Sequence, residues 1–183
     1  ARNGAQANHQ RPRPELKKWP AYFQELGYEV VAFGKVSHYQ HTADYGFDHF
    51  AYDTFHDHRG IPAAVQFLKA RGRSTTRPLC LMVGTNWPHV PWPEKTEGYN
   101  PAEMELPSGS VDTTRTREWR ARYAAAVTLA DNDLGAVYQA ARETLGPDAL
   151  FLFTADHGAQ WPFAKWNCYD AGIRVPLIVE WPG

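Results

Sequence analysis

Apolar residues in this chain gather in short β-branched and aromatic runs, separated by stretches in which they recur at helical spacing. Pro20 at a first helical position, followed by "AYFQELG" with Gly27 as a left-handed cap, predicts a short helix. The run "YEVVAFG", closing in Gly34, predicts a strand whose carboxyl end carries Lys35 and His38. The next segment, "TADYGFDHFAYDTFHDHRG", is aromatic, acidic and non-periodic, and reads as a loop insertion. "IPAAVQFLKARG" is an amphipathic helix with Pro62 near its start. A second strand, "PLCLMVGT", runs into "NWPHVPWP", whose three prolines exclude regular structure around His89. The longest helical pattern spans about 116–145 and should face a sheet through Tyr123, Val127, Leu134 and Val137. The strands "ALFLFTAD" and "VPLIVEWPG" close the chain, the first ending in Asp156 and His157.

This alternation predicts an α/β fold with a mostly parallel sheet flanked by helices. Ligands bind such sheets at the carboxyl ends of the strands, so Lys35, His38, His89, Asp156 and His157 are expected along one sheet edge, with Lys165 in the loop beyond.

Composition narrows the picture. At 183 residues and 43% hydrophobic, the chain suits one α/β domain with a real core. A net charge of -1 provides no basic field for a nucleic-acid backbone, so nucleic acid is a poor partner. No apolar run approaches the roughly 18 residues that cross a bilayer. The start, "ARNGAQANHQRPRP", has neither an apolar signal core nor an initiator methionine, and reads as the middle of something longer. Cys80, inside an apolar run, and Cys168 form neither a disulfide framework nor a zinc-ligand set.

Asp156 and His157 offer a carboxylate oxygen and an imidazole nitrogen, two ligands for a divalent cation if further carboxylates join them. Alternatively, Asp156 caps the following turn and His157 makes a single structural hydrogen bond. Lys35 and Lys165, if convergent, suit a tetrahedral oxyanion such as sulfate or phosphate; apart, they are solvated surface charges. His38 and His89 could donate to a substrate oxygen or serve as general acids, or could be structural. Asp131 and Asp133 fall within the long helix, where an exposed or locally bonded carboxylate is the simpler reading.

Three elements in this order resemble the sulfatase family of the alkaline-phosphatase-like superfamily: "GKVSHY", "PHVPW" and "TADHG…AKWNCYDAGIRVPLIVEWPG". The resemblance covers nearly the whole chain and implies an incomplete sulfatase core: residues 1–183 would be the central part of one catalytic domain truncated at both ends. It implies that Asp156 and His157 are metal ligands, normally to Ca2+, and that Lys165 binds the sulfate. Lys35 would help hold the catalytic aldehyde group and the sulfate, His38 would stabilise the nucleophile region, and His89 would contact the sulfate or protonate the leaving oxygen.

The family's paired aspartates and its cysteine-x-proline-x-arginine element, whose cysteine becomes the formylglycine nucleophile, are not in this sequence, so both are expected upstream of Ala1. Neither Cys80 nor Cys168 has the spacing to replace that cysteine. The implied activity of the intact parent is hydrolysis of a sulfate ester or sulfamate on a small-molecule or oligosaccharide substrate, the chain alone being inactive. "GKVSHY" and "PHVPW" resemble the branch acting on glycosaminoglycan and related sulfated sugars; Trp87, Trp92 and Trp161 could stack on sugar rings, though aromatic residues near prolines are as often packing. A phosphate or phosphonate monoester hydrolase, or a non-catalytic sulfated-sugar-binding homologue, is the competing expectation. The resemblance also implies a secreted, periplasmic or lysosomal location.

Overall fold

A computed structural model describes residues 2–7, 9–37, 39–72, 76–96 and 98–181. The chain divides into two compact units, one of residues 1–86 and 139–146, the other of residues 87–138 and 147–183.

In the first unit, helix α1 (Trp19–Glu25) begins with Pro20 in its first turn, where the missing N–H removes no helical bond. Trp19 meets Phe23 and Phe47 edge to face, at centroid distances of 5.7 and 5.6 Å. The chain turns at Gly27 and enters strand β1 (Glu29–Gly34). Strand β2 (His49–Ala51), helix α2 (Gly60–Arg71) and strand β3 (Leu79–Gly84) follow. The sheet order is β2-β1-β3, with both pairings parallel; Val31 lies opposite His49 on one side and Leu81 on the other.

As the central strand, β1 must bury both faces, and Val30, Val31 and Ala32 are fully buried. Val31, Phe33 and Ala64 of α2 form the core, ringed by Phe67, Leu79, Leu81 and Val83. Leu68, the largest fully buried side chain among the described residues, contributes about 1.5–3 kcal/mol by leaving water. An ion pair between Arg71 and Glu29, together with Arg71 Nη2 donating to the Arg77 carbonyl at 2.7 Å, ties the end of α2 to the start of β1.

The segment read as a loop insertion therefore contains a strand, preceded by a 3-10 helix (Tyr39–Tyr45). Asp48 explains how so short a strand docks: its backbone N–H donates to the Val30 carbonyl at 2.9 Å, and its carboxylate accepts the Val30 N–H at 2.8 Å.

Helix α3 (Thr114–Leu145) starts where the Thr113 hydroxyl accepts the Thr116 N–H at 3.1 Å. Arg117 in its first turn chelates Asp112 through two bonds of 2.6 and 2.7 Å and donates to the carbonyls of Ala102 and Met104. The face expected from Tyr123, Val127, Leu134 and Val137 is corrected: Val137 is buried, but Val127 is 43% exposed, and the buried positions are chiefly Ala121, Ala125, Ala126, Ala130 and Ala140. Small side chains let neighbouring chain approach closely, so the buried stripe follows alanine rather than the most apolar residues.

The second unit also holds strand β4 (Phe151–Thr154), the one-turn helix α4 (Asp170–Ile173) and strand β5 (Leu177–Glu180). β4 and β5 pair antiparallel in a sheet of their own, with Phe151 opposite Glu180. Among the described residues the strands form one parallel three-stranded sheet in the first unit and one antiparallel pair in the second. No helix among the described residues is long and apolar enough to cross a membrane.

Candidate functional site

The loop that follows β4 is built by backbone hydrogen bonds folding it onto α4. Gly158 N–H donates to the Gly172 carbonyl at 2.9 Å, and Lys165 N–H donates to the Ala159 carbonyl at 3.1 Å. A Cβ at Gly158 would lie 1.8 Å from the Ala171 carbonyl oxygen, so only glycine permits this approach. Phe163 and Trp166, on either side of Lys165, have φ of 61° and 69°, a left-handed conformation that side chains rarely adopt. The loop thus holds Lys165 on a tightly turned backbone.

That lysine meets a histidine from the proline-rich segment. Lys165 Nζ lies 2.9 Å from His89 Nε2 and 3.3 Å from Gln160 Oε1. His89 Nδ1 lies 2.6 Å from the Val90 carbonyl, which can only accept, so Nδ1 carries the proton. Nε2 therefore presents its lone pair to the ammonium, and His89 as found is an acceptor. An oxyanion arriving here would compete with His89 Nε2 and Gln160 Oε1 for the ammonium hydrogens.

Asp156 and His157 lie together at the end of β4, with Oδ2 and Nε2 3.6 Å apart. His157 Nδ1 lies 2.8 Å from the Gly158 carbonyl, which assigns the proton to Nδ1 and the lone pair to Nε2. Two adjacent ligands on one calcium at 2.3–2.6 Å would stand about 3.4 Å apart, so the spacing fits a shared cation, the carboxylate oxygen suiting a hard ion such as calcium and the imidazole nitrogen a softer one. Among the described residues no group of three or more His, Cys, Asp and Glu side chains could hold a metal, so these two would be a partial ligand set.

In the first unit, Lys35 follows β1 where the backbones of Gly34 and Gly84 nearly touch. A Cβ on Gly34 would fall 2.1 Å from the Gly84 carbonyl oxygen, and that oxygen accepts the Lys35 N–H at 2.9 Å. Lys35 Nζ lies 5.1 Å from the Phe55 ring centroid. His56 shares this region, its backbone N–H donating to the buried Asn86 at 2.9 Å. Partial desolvation of its ring, then the charges of His58 and Lys35, hold the His56 imidazole below its ordinary 6.5. The pattern "FHDH" offered a signal for this pair; the long separation of Lys35, His56 and Asn86 concealed their association. His38 lies outside the described residues.

Within the second unit the structure joins His89 to Lys165 and Asp156 to His157, and adds Gln160, which the sequence reading passed over. Asp131 is exposed on α3. Burial in β3 raises the Cys80 thiol above its ordinary value, so it is a poor nucleophile. Trp92 is only 6% exposed, which favours packing over stacking on a ligand, the two readings open for it.

A parallel sheet flanked by helices makes this an α/β chain. The sulfatase family model matches residues 2–183, and the chain belongs to that family. An ulvan-active sulfatase of Formosa agariphila is 26% identical over 99% of this chain and 36% of its own length. Human iduronate 2-sulfatase is 23% identical, covering 90% of this chain and 45% of its own. A solved structure from the glycosaminoglycan-metabolism locus of Bacteroides thetaiotaomicron, BT33494S-sulf, superposes with a TM-score of 0.70 at 19% identity, over 94% of this chain and 49% of that one. The chain thus spans less than half the length of these curated relatives.

Proposed function

We propose that the protein carrying this chain hydrolyses sulfate esters or sulfamates of carbohydrates, with Lys165 and His89 receiving the sulfate. The observation that carries this reading is the 2.9 Å approach of Lys165 Nζ to His89 Nε2 in a chain of the sulfatase family. The names of the relatives, which act on ulvan and iduronate sulfates, support a carbohydrate substrate.

In this reading Lys165 turns its ammonium hydrogens from His89 and Gln160 to a sulfate oxygen and stabilises charge that grows as the ester bond breaks. His89 Nε2, released from that contact, takes a proton from water and delivers it to the departing oxygen or nitrogen, while Nδ1 stays anchored to the Val90 carbonyl. Lys35 and His38 act on the sulfate and the nucleophile region. Asp156 and His157 contribute two ligands to a divalent metal, calcium by family likeness, with the other ligands and a formylglycine supplied from outside these residues. Such a metal, when bound, neutralises charge on sulfate oxygens.

The test measures sulfate released from a sulfated monosaccharide, and phosphate from its phosphorylated counterpart, by the full-length protein and by Asp156→Ala. Sulfate release that falls on calcium chelation, returns with calcium and is lost in Asp156→Ala is expected. Phosphate release exceeding sulfate release, or tight binding of sulfated sugar without any release, would overturn the reading in favour of a phosphoryl hydrolase or a binding protein respectively.

A further inference from the structure

Asn86 stands two residues past the end of β3 and is 4% exposed, so its carboxamide has to find its partners inside the protein. Both ends of that amide go to one short turn: Oδ1 accepts the His56 N–H at 2.9 Å, and Nδ2 donates to the Asp57 carbonyl at 3.2 Å. The turn is strained. His56 has a φ of 63°, a conformation that a residue with a Cβ keeps where its surroundings hold it there. Asn86 grips the backbone at either end of the His56–Asp57 pair, and Arg59 fastens the far side. Its guanidinium meets the Asp57 carboxylate through bonds of 2.9 and 2.7 Å and packs 4.8 Å from the Tyr52 ring centroid.

This turn presents an aromatic ring to a lysine. The Phe55 ring centroid lies 5.1 Å from Lys35 Nζ, within the roughly 6 Å over which an aromatic face attracts an ammonium. The Lys35 backbone is fixed separately, by the strands. Its N–H donates to the Gly84 carbonyl at 2.9 Å, and a Cβ on Gly84 would lie 2.0 Å from the Lys35 carbonyl oxygen. Between that fixed backbone and the ammonium runs a flexible four-carbon stem, so the position of the charge depends on what its far end touches. Lys35 is also among the charges that keep the His56 imidazole below its ordinary value, which agrees with its place beside this turn.

We propose that Asn86 is the positioning residue for Lys35: through the His56–Asp57 backbone it holds the Phe55 ring against the Lys35 ammonium and so fixes where that cation stands. This rests on the sulfatase reading in one respect, that Lys35 acts on the sulfate. A buried amide that served stability alone would leave the ammonium where it is when the amide is lost.

The test follows the Lys35 ε-methylene protons by carbon–proton NMR of the lysine-labelled full-length protein, alongside calorimetric titration of inorganic sulfate. In the wild type the ring current of Phe55 should move these protons upfield of an ordinary lysine, and Phe55→Leu should abolish the shift and so identify the signal. Asn86→Ala should lose most of the shift and raise the sulfate Kd about two- to fivefold, as Phe55→Leu does, which is the worth of one cation–π contact. An upfield shift that is absent from the wild type, or retained in folded Asn86→Ala, overturns the positioning role. So does a shift lost without any change in the sulfate Kd, where Lys35→Met does weaken sulfate. Should Asn86→Ala not fold, Asn86→Asp decides: it keeps an acceptor for the His56 N–H but loses the donor to the Asp57 carbonyl, so the shift should fall, and a shift equal to the wild type's overturns the role. Lys35→Met binding sulfate as tightly as the wild type, with the NMR shifts as expected, overturns instead the sulfatase reading of Lys35 and leaves its positioning by Asn86 in place.

Discussion

Lys165 and His89 are 76 residues apart in sequence, yet they share a hydrogen bond. Each was legible alone, as a charged or titratable side chain in a loop following an apolar strand. Their pairing was not, because it depends on Gly158, Phe163 and Trp166 adopting backbone conformations that no periodicity announces. His56 shows the same limit and offers a test. Its folded pKa lies below the 6.5 of an ordinary histidine, so the unfolded chain binds a proton where the folded chain does not. Its contribution to stability is complete above pH 6.5 and is lost as pH falls through the lower folded value. Proton NMR should show His56 titrating below 6.5, and Lys35→Met should raise its midpoint by removing one of the three causes. A midpoint above 6.5 in the wild type would contradict the placement of Lys35 beside this ring.

At the scale of the element, helices α1, α2 and α3 and strands β1, β3, β4 and β5 followed from apolar spacing and from Pro and Gly boundaries. Strand β2 was hidden because three residues in an aromatic, acidic stretch are too few for a period, and because a side chain, Asp48, completes its docking to β1. On α3 the existence of the helix was plain but the face was not: hydropathy points to Val127, whereas close approach buries alanine. Ala126→Leu should therefore overpack and cost about 1–3 kcal/mol. Val127→Asp should stay within about 0.5 kcal/mol. Denaturant midpoints read both, and a larger loss for Val127→Asp than for Ala126→Leu would reverse the assigned face. Gly158→Ala, forced against the Ala171 carbonyl, should disturb the Lys165 loop more than the core. Its signature would be weakened sulfate binding with the unfolding midpoint little changed, and the opposite pattern would contradict the placement of Gly158 at that contact.

At the scale of the whole molecule, family membership rests on a match along nearly the full chain, while the chain spans 36% and 45% of the two curated relatives. The parallel sheet flanked by helices is as strand and helix alternation suggested, and β4 and β5 add an antiparallel pair after it in sequence order. Lys165, His89, Asp156 and His157 were visible as residue types, and the geometry adds that they meet in two pairs, Lys165 with His89 and Asp156 with His157, on which the proposed anion centre rests. Calorimetric titration of inorganic sulfate into the full-length protein, wild type against Lys165→Met, tests that centre most directly. A charged hydrogen bond is worth roughly 1.5–3 kcal/mol, so the sulfate Kd should rise about 10–100-fold in Lys165→Met. Sulfate binding to Lys165→Met as tightly as to the wild type would show that the anion is held elsewhere.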